Sequence, residues 1–279
     1  MPISYDGAFS LSDTLKSGQV FHWEPMRFGG VDGVCGCIGD GPPAFVAQTS
    51  GGEILARPDD AARVARYFGL DHPIGEIHGA FPAGDEVLLR AIAFCPGIRL
   101  ARQPLWECLA TFITSSLKQV AHIRAMSLAL RQRFGERHEF EGRAFFAYPT
   151  PEALAAAGED ALRACSLGYR AKSLHLAARA VAEGAVDLGA VESEPDLDRA
   201  RAALMELHGV GEKIANCALL FGAGRWEAFP IDVWMERILR EHYRKRLKGP
   251  KLQAWAVRHF GSHAGYAQQY LFHFARKTL

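Results

Sequence analysis

Hydrophobic positions change their period along this chain. Over residues 5–57 they fall in short β-prone runs, Val20-Phe21-His22-Trp23 and Ala44-Phe45-Val46-Ala47, with glycines and prolines between them. That pattern predicts an antiparallel sheet. From Pro58 the spacing turns helical: Asp59 or Asp60 can cap a helix whose Ala61, Val64, Ala65 and Phe68 share a face, with Gly69 at its end. Val87 to Phe94 reads as another short helix, stopped by Pro96-Gly97. Beyond residue 100 nearly everything reads helical. Leu105 to Thr114 is apolar, and Ser116-Leu117-Lys118-Gln119 matches a capping box that opens a helix to Phe134. Thr150-Pro151-Glu152 opens the next, with proline at the first helical position. Leu167-Gly168-Tyr169-Arg170 breaks the pattern, and Asp196 or Asp198 restarts it. Helical spacing returns after Asp232, again around Trp255, and from near Tyr266. The fold class is α+β: an N-terminal antiparallel β-sheet domain over residues 1–97, then a mostly α-helical domain over 98–279.

One interruption in the helical part carries more information than the others. The apolar spacing of Ala200, Leu204 and Leu207 runs into His208-Gly209-Val210-Gly211-Glu212-Lys213 and resumes at once with Ile214-Ala215-Asn216-Cys217-Ala218-Leu219-Leu220-Phe221. Two glycines one residue apart allow a hairpin too tight for side chains, with backbone N–H groups turned outward at the start of the next helix. That end carries a positive partial charge and suits a phosphate. Lys213 lies in its first turn. Nineteen residues on, Phe229-Pro230-Ile231-Asp232-Val233 sets a carboxylate at the start of another helix.

Charge supports a nucleic-acid partner only through its distribution. The net charge is +1, but residues 1–90 hold 6 Lys+Arg against 12 Asp+Glu, and residues 91–279 hold 26 against 19. The halves therefore carry −6 and +7, with nine basic residues between Arg225 and Arg258. For any one of them a solvated helix face is an equally good account. The N-terminus lacks the basic segment and apolar core of a secretory signal, and the apolar run from Ile214 to Gly224 is too short to span a bilayer. The six cysteines show neither a zinc nor a four-cysteine iron–sulfur spacing. Reduced thiols in a cytoplasmic protein are expected.

A lysine is most often a solvated side chain. Lys213, however, sits at a helix start whose dipole, with partial burial, favours the neutral amine that nucleophilic work requires. Cys217, four residues on, shares its face, as a small core residue or as a wall beside the amine. Asp232 reads as a plain N-cap in isolation; a capping carboxylate is also fixed and suited to orienting an amine. Gln268 and Phe272, again four apart, place an amide beside a ring. Core packing for Phe272 and a surface position for Gln268 is the plainer account of that pair.

These stretches resemble the helix-hairpin-helix glycosylase superfamily, and most of the chain resembles its 8-oxoguanine DNA glycosylase/AP lyase branch. Ser17-Gly18-Gln19-Val20-Phe21-His22-Trp23 is similar to that family's N-terminal segment, Glu107 to Ser116 to its central helix pair, Leu167-Gly168-Tyr169-Arg170-Ala171 to its DNA-wedging loop, and Gly265 to Phe272 to its pocket helix. The resemblance implies a bifunctional enzyme of base excision repair, with Lys213 as nucleophile forming a Schiff base and Asp232 assisting. It implies a base pocket of Gly18, Phe112, Cys217, Pro230, Gln268 and Phe272, the base lying between Phe272 and Cys217. DNA contacts are expected from His208, Gly209, Val210, Gly211, Tyr169 and Arg170. At two further contact positions the animal and yeast-like members carry an asparagine and an arginine that hold the cytosine opposite the lesion; this chain has Leu117 and His122. No metal or organic cofactor is expected. The partner is damaged double-stranded DNA, with no membrane and a monomeric protein, in the cytoplasm (on the nucleoid in a prokaryote) or in a eukaryotic nucleus. Two rival readings remain open. One is a glycosylase of the same fold for another base, although the alkyl-base members lack the lysine and the oxidised-pyrimidine members usually carry an iron–sulfur cluster. The other is a non-catalytic helix-hairpin-helix module that only grips phosphates.

Overall fold

The computed structural model describes residues 1–115 and 119–278. Five strands, β1 (Pro2–Ile3), β2 (Glu24–Phe28), β3 (Val31–Cys37), β4 (Pro43–Gln48) and β5 (Ile54–Ala56), form an antiparallel sheet in the order β1-β5-β4-β3-β2. The β2–β3 turn is made by Gly29 and Gly30, both with positive φ, as a tight two-residue hairpin demands. Strand β4 is buried on both faces. Ala44 and Val46 pack with Val64, Tyr67 and Phe68 on one side, and Phe45 and Ala47 pack with Cys35 and Cys37 on the other.

That second face is covered by a hairpin within the largely helical half of the chain, β6 (Arg137–Phe140) and β7 (Arg143–Phe146), whose Phe140 and Phe145 join the cysteine side of the sheet. The sequence pattern gave no expectation of it. Its strands are four residues each, and its turn, Glu141-Gly142, has positive φ at both positions without the usual Asn-Gly or Asp-Gly.

Val20 to Trp23 is not a strand. Its side chains are buried, but its backbone bonds to side chains instead of a ladder. Arg124 donates to the carbonyls of Phe21 (3.3 Å) and Trp23 (2.8 Å). Strand pairing begins one residue later, at Glu24. The expected capping box begins on residues that are not described. Ser116, Leu117 and Lys118 lie outside the described residues, and the helix Val120–Phe134 starts on Gln119 with no side-chain cap. Asp60 precedes the helix Ala61–Tyr67 without capping it, because its carboxylate is taken by Arg57 (2.5 Å) and Arg63 (2.6 Å). Thr150 and Asp196 do cap, accepting from Ala153 N and from Asp198 N and Arg199 N.

The helices share one core that runs from Phe21, Ile74 and Leu88 through Cys108 and Leu219 to Tyr270 and Ala275. Within it the helix Leu105–Ser115 packs against the helix Glu212–Phe221, and Glu86–Phe94 against Ala264–Thr278. Arg99 ties this core to the segments that follow β1 and the helix Ala61–Tyr67. It is fully buried and donates to the carbonyls of Asp6, Ala8, Gly69 and His72. No helix of the described residues is long and apolar enough to cross a membrane.

Candidate active site

The helix Leu197–Met205 turns into the helix Glu212–Phe221 through the hairpin anticipated at residues 207–213. Gly209 adopts φ +82°, and a Cβ there would stand 2.5 Å from Ser173 Oγ and 2.6 Å from Ser173 Cβ. Glycine is therefore required twice over, by conformation and by the neighbouring helix. Gly211 differs. Its φ is −103°, it caps the second helix, and a Cβ on it would meet nothing within 4 Å. The space in front of that helix start is open. Val210 is buried, whereas His208 is exposed with Nδ1 3.2 Å from Ser173 Oγ.

Lys213 follows in the first turn of that helix, half-buried, its Nζ 4.7 Å from the centroid of Phe112. Phe112 in turn stacks on Phe221 at 5.7 Å, with 19° between the planes. Cys217 lies one turn on, and burial pushes its thiol up to about 11 despite the charge of Lys213 and a hydrogen bond with it. The sulfur is thus an uncharged wall beside the amine. Asp232 caps the helix Val233–Glu241, accepting from Trp234 N at 3.1 Å and Met235 N at 2.9 Å. Burial raises its carboxyl above the usual range, outweighing those backbone bonds and the charge of Lys213. One carboxylate thus caps a helix and feels the charge of Lys213.

All eight residues expected at the reacting centre and base pocket line a single cavity of about 770 Å³: Gly18, Phe112, Lys213, Cys217, Pro230, Asp232, Gln268 and Phe272. Gln268 is buried, yet its Oε1 has no hydrogen-bond partner. That leaves an amide oxygen in the cavity wall with its accepting capacity unused. Gly18 has φ +88°, and a Cβ on it would lie 3.2 Å from Phe272 Cε1. The cavity thus closes only around a bare backbone at that position.

Residues 3–109 match the family model for the N-terminal domain of 8-oxoguanine DNA glycosylase, and residues 110–253 that of the HhH-GPD superfamily base excision DNA repair protein. The chain belongs to the 8-oxoguanine DNA glycosylase family. It is 31% identical over 285 residues to the N-glycosylase/DNA lyase OGG1 of Arabidopsis thaliana, covering 93% of this chain and 75% of that protein. It is 33% identical over 204 residues to a probable N-glycosylase/DNA lyase of Methanothermobacter thermautotrophicus, covering 65% of this chain and 64% of the archaeal protein. Its fold superposes on that of Clostridium acetobutylicum 8-oxoguanine glycosylase/lyase, solved with double-stranded DNA containing cytosine opposite 8-oxoG. The TM-score there is 0.87 at 28% identity, covering 96% of this chain and 92% of that one.

In this member of the 8-oxoguanine DNA glycosylase family the expected DNA contacts are placed unevenly. Tyr169 projects from the break between helices with 62% of its surface exposed. Arg170, expected beside it as a second contact, is buried instead. Its guanidinium lies 4.3 Å from the Tyr169 ring and donates to the Leu167 carbonyl at 3.5 Å. It braces the tyrosine from behind. His122 is exposed on the helix Val120–Phe134, and Leu117 lies outside the described residues. Tyr169, Arg170, His122 and residues 208–211 do not line the cavity.

Sequence reasoning missed the side chains that hold Gly18 in place. Gln269 donates to the Ser17 carbonyl at 3.2 Å, and Arg276 to the Lys16 carbonyl. Gln19 links this segment to Arg99 O (2.7 Å) and Ala101 N (2.7 Å), while Gln103 donates to the Gln19 carbonyl (2.9 Å). One signal was present: Arg276 is one helical turn beyond Phe272 and two beyond Gln268.

Proposed function

We infer that this protein is a bifunctional DNA glycosylase and AP lyase that excises 8-oxoguanine from duplex DNA in base excision repair. The observation that carries the reading is the meeting, in one cavity, of the Lys213 amine and Asp232 carboxylate with Gly18, Cys217, Gln268 and Phe272. A base must leave the helical stack before its glycosidic bond can be reached, and the cavity has two polar readers and a ring for it. The Gly18 carbonyl accepts the N7 hydrogen that the oxidised base has and guanine lacks. Gln268 reads the Watson–Crick edge, and Phe272 stacks.

The amine of Lys213 attacks C1′, the C1′–N9 bond breaks, and its electron pair leaves with the base. Asp232 orients the amine and stabilises positive charge at the sugar carbon. The Schiff base that follows acidifies the C2′ proton. Its loss breaks the bond from C3′ to the phosphate oxygen and nicks the strand on the 3′ side. The open helix start behind Gly209 and Gly211 receives a backbone phosphate, and Tyr169 fills the gap left by the base. Every one of these groups comes from a single chain, so the protein acts as a monomer on damaged duplex, in whichever compartment holds the DNA.

Lys213→Gln tests the reading. It keeps a long polar side chain at the helix start, so duplex binding should persist while base excision and the borohydride-trapped adduct both disappear. An adduct still formed by the variant would remove Lys213 from the chemistry.

The partner base is where this chain departs from the animal and yeast-like members. Leucine at 117 has neither donor nor acceptor, and a histidine at 122 replaces a permanent bidentate donor. Each bidentate contact discriminates by about 1–3 kcal/mol. Preference for cytosine opposite the lesion should accordingly be weak, read as single-turnover excision with each of the four bases opposite. Strict dependence on cytosine, about a hundredfold or more, would contradict this and direct attention to Gln119.

A further inference from the structure

Arg276 enters the cavity from the last turn of the helix Ala264–Thr278, on the face already used by Gln268 and Phe272. Its guanidinium is fixed on two sides. Nη2 donates to the Lys16 carbonyl, and the group lies 5.5 Å from the centroid of the Phe272 ring. The other terminal nitrogen, Nη1, is buried with no hydrogen-bond partner. A Cβ built on Gly18 would stand 2.9 Å from that nitrogen. An unsatisfied N–H donor therefore sits beside the Gly18 backbone, in the wall that meets a base stacked on Phe272. Burial also draws the guanidinium below its ordinary range, with only Asp232 pulling the other way. Such a buried and weakly compensated donor gains from an acceptor arriving with the substrate.

On 8-oxoguanine the N7 hydrogen and the C8 oxygen lie side by side, a donor next to an acceptor. Guanine presents a lone pair at N7 and a carbon-bound hydrogen at C8. The complement of the oxidised edge is an acceptor beside a donor, which is what the Gly18 carbonyl and Arg276 Nη1 supply together. We propose that Arg276 is a specificity-determining residue of the base pocket, donating from Nη1 to the C8 oxygen of the flipped base. This rests on the reading of the cavity as an 8-oxoguanine pocket. When the C1′–N9 bond breaks, its electron pair goes to the base and negative charge spreads to the C8 oxygen. A guanidinium at that oxygen stabilises the leaving base until it takes a proton from the nitrogen of Lys213, cationic once bonded to C1′.

An arginine that merely ties the C-terminal helix to Lys16 would serve every substrate alike, and this is where the test divides the two roles. Arg276→Met and Arg276→Lys are compared with wild type in single-turnover excision of 8-oxoguanine and in cleavage of a preformed abasic site. Binding is compared on duplexes carrying 2′-fluoro-8-oxoguanosine or 2′-fluoroguanosine, whose glycosidic bonds resist cleavage. Arg276→Met should slow lesion excision and reduce the preference for the oxidised base by about tenfold to a hundredfold. Abasic-site cleavage should stay within about twofold of wild type. Should the methionine variant not fold, Arg276→Lys decides by the same ratio, since one ammonium cannot span the Lys16 carbonyl and the C8 oxygen together. Equal losses on lesion and abasic site, or undiminished lesion excision by the variant, would overturn the assignment alone. A wild-type protein that does not excise 8-oxoguanine would sink the pocket reading and this assignment with it.

Discussion

Asp232 is pulled towards its neutral form by its surroundings, because burial favours that form more than its two backbone bonds and Lys213 favour the charged one. Two outcomes follow from the sign of that shift. Activity that needs the carboxylate should fail on the acid side at a pH above the group's ordinary 3.8, visible as the acid limb of kcat/KM. Stability runs the other way. With the folded value raised above the unfolded one, the group's contribution is present below the unfolded value and lost as pH rises through the folded one. Asp232→Asn keeps the cap, since asparagine caps about as well as aspartate, so it should lose excision while its Tm at pH 7 stays level or rises. A clear fall in Tm would show that the charge stabilises the fold. Phe272 makes a second case at this scale. Phe272→Ala should weaken lesion binding by about 1–3 kcal/mol and spare cleavage at an abasic site; equal loss on both would mark the ring as packing. Lys213 was legible from its place at a helix start, whereas Asp232 and the Gln268–Phe272 pair became site candidates only through the family resemblance, since capping and packing alone accounted for them. Gln19, Gln103 and Gln269 were not legible, because they act through carbonyls across the fold, and pairing over such distances leaves no local pattern.

Elements were readable where a local rule set their ends. Thr150-Pro151 and Asp196 start helices as their side chains dictate, and the hairpin of residues 207–213 turns where its glycines permit. The rule failed where side chains took over the backbone's partners, as Arg124 does for Phe21 and Trp23, and where acids preferred arginines to a helix end, as Asp60 does. The two hairpin glycines, equivalent on paper, should respond oppositely to substitution. Gly209→Ala combines positive φ with a clash at Ser173 and should cost about 1–3 kcal/mol of stability. Gly211→Ala meets open space; its thermal unfolding should match wild type while duplex binding weakens, because the methyl stands where a phosphate approaches. Matching Tm values for both variants would show that Ser173 yields readily.

At the scale of the molecule, Arg99 joins two N-terminal connecting segments, donating to four carbonyls contributed by residues 6, 8, 69 and 72. Arg99→Met keeps the volume and strands those acceptors, each costing about 1–3 kcal/mol when buried and unpaired. Tm should drop by roughly 10 °C even though the site is untouched; an unchanged melting curve would mean that water replaces the guanidinium.

The cavity has its own version of this long-range joining, since Gly18 is pinned by Gln269 and faces Phe272 and Arg276. Synthesis therefore delivers the parts in an awkward sequence. On the proposed reading, a nascent chain has its phosphate cradle and its nucleophile before the helix Ala264–Thr278 emerges, and gains its base readers only when that helix docks on residues 16–18. On that reading, discrimination and competence thus arise in a single docking event, that of this helix on residues 16–18.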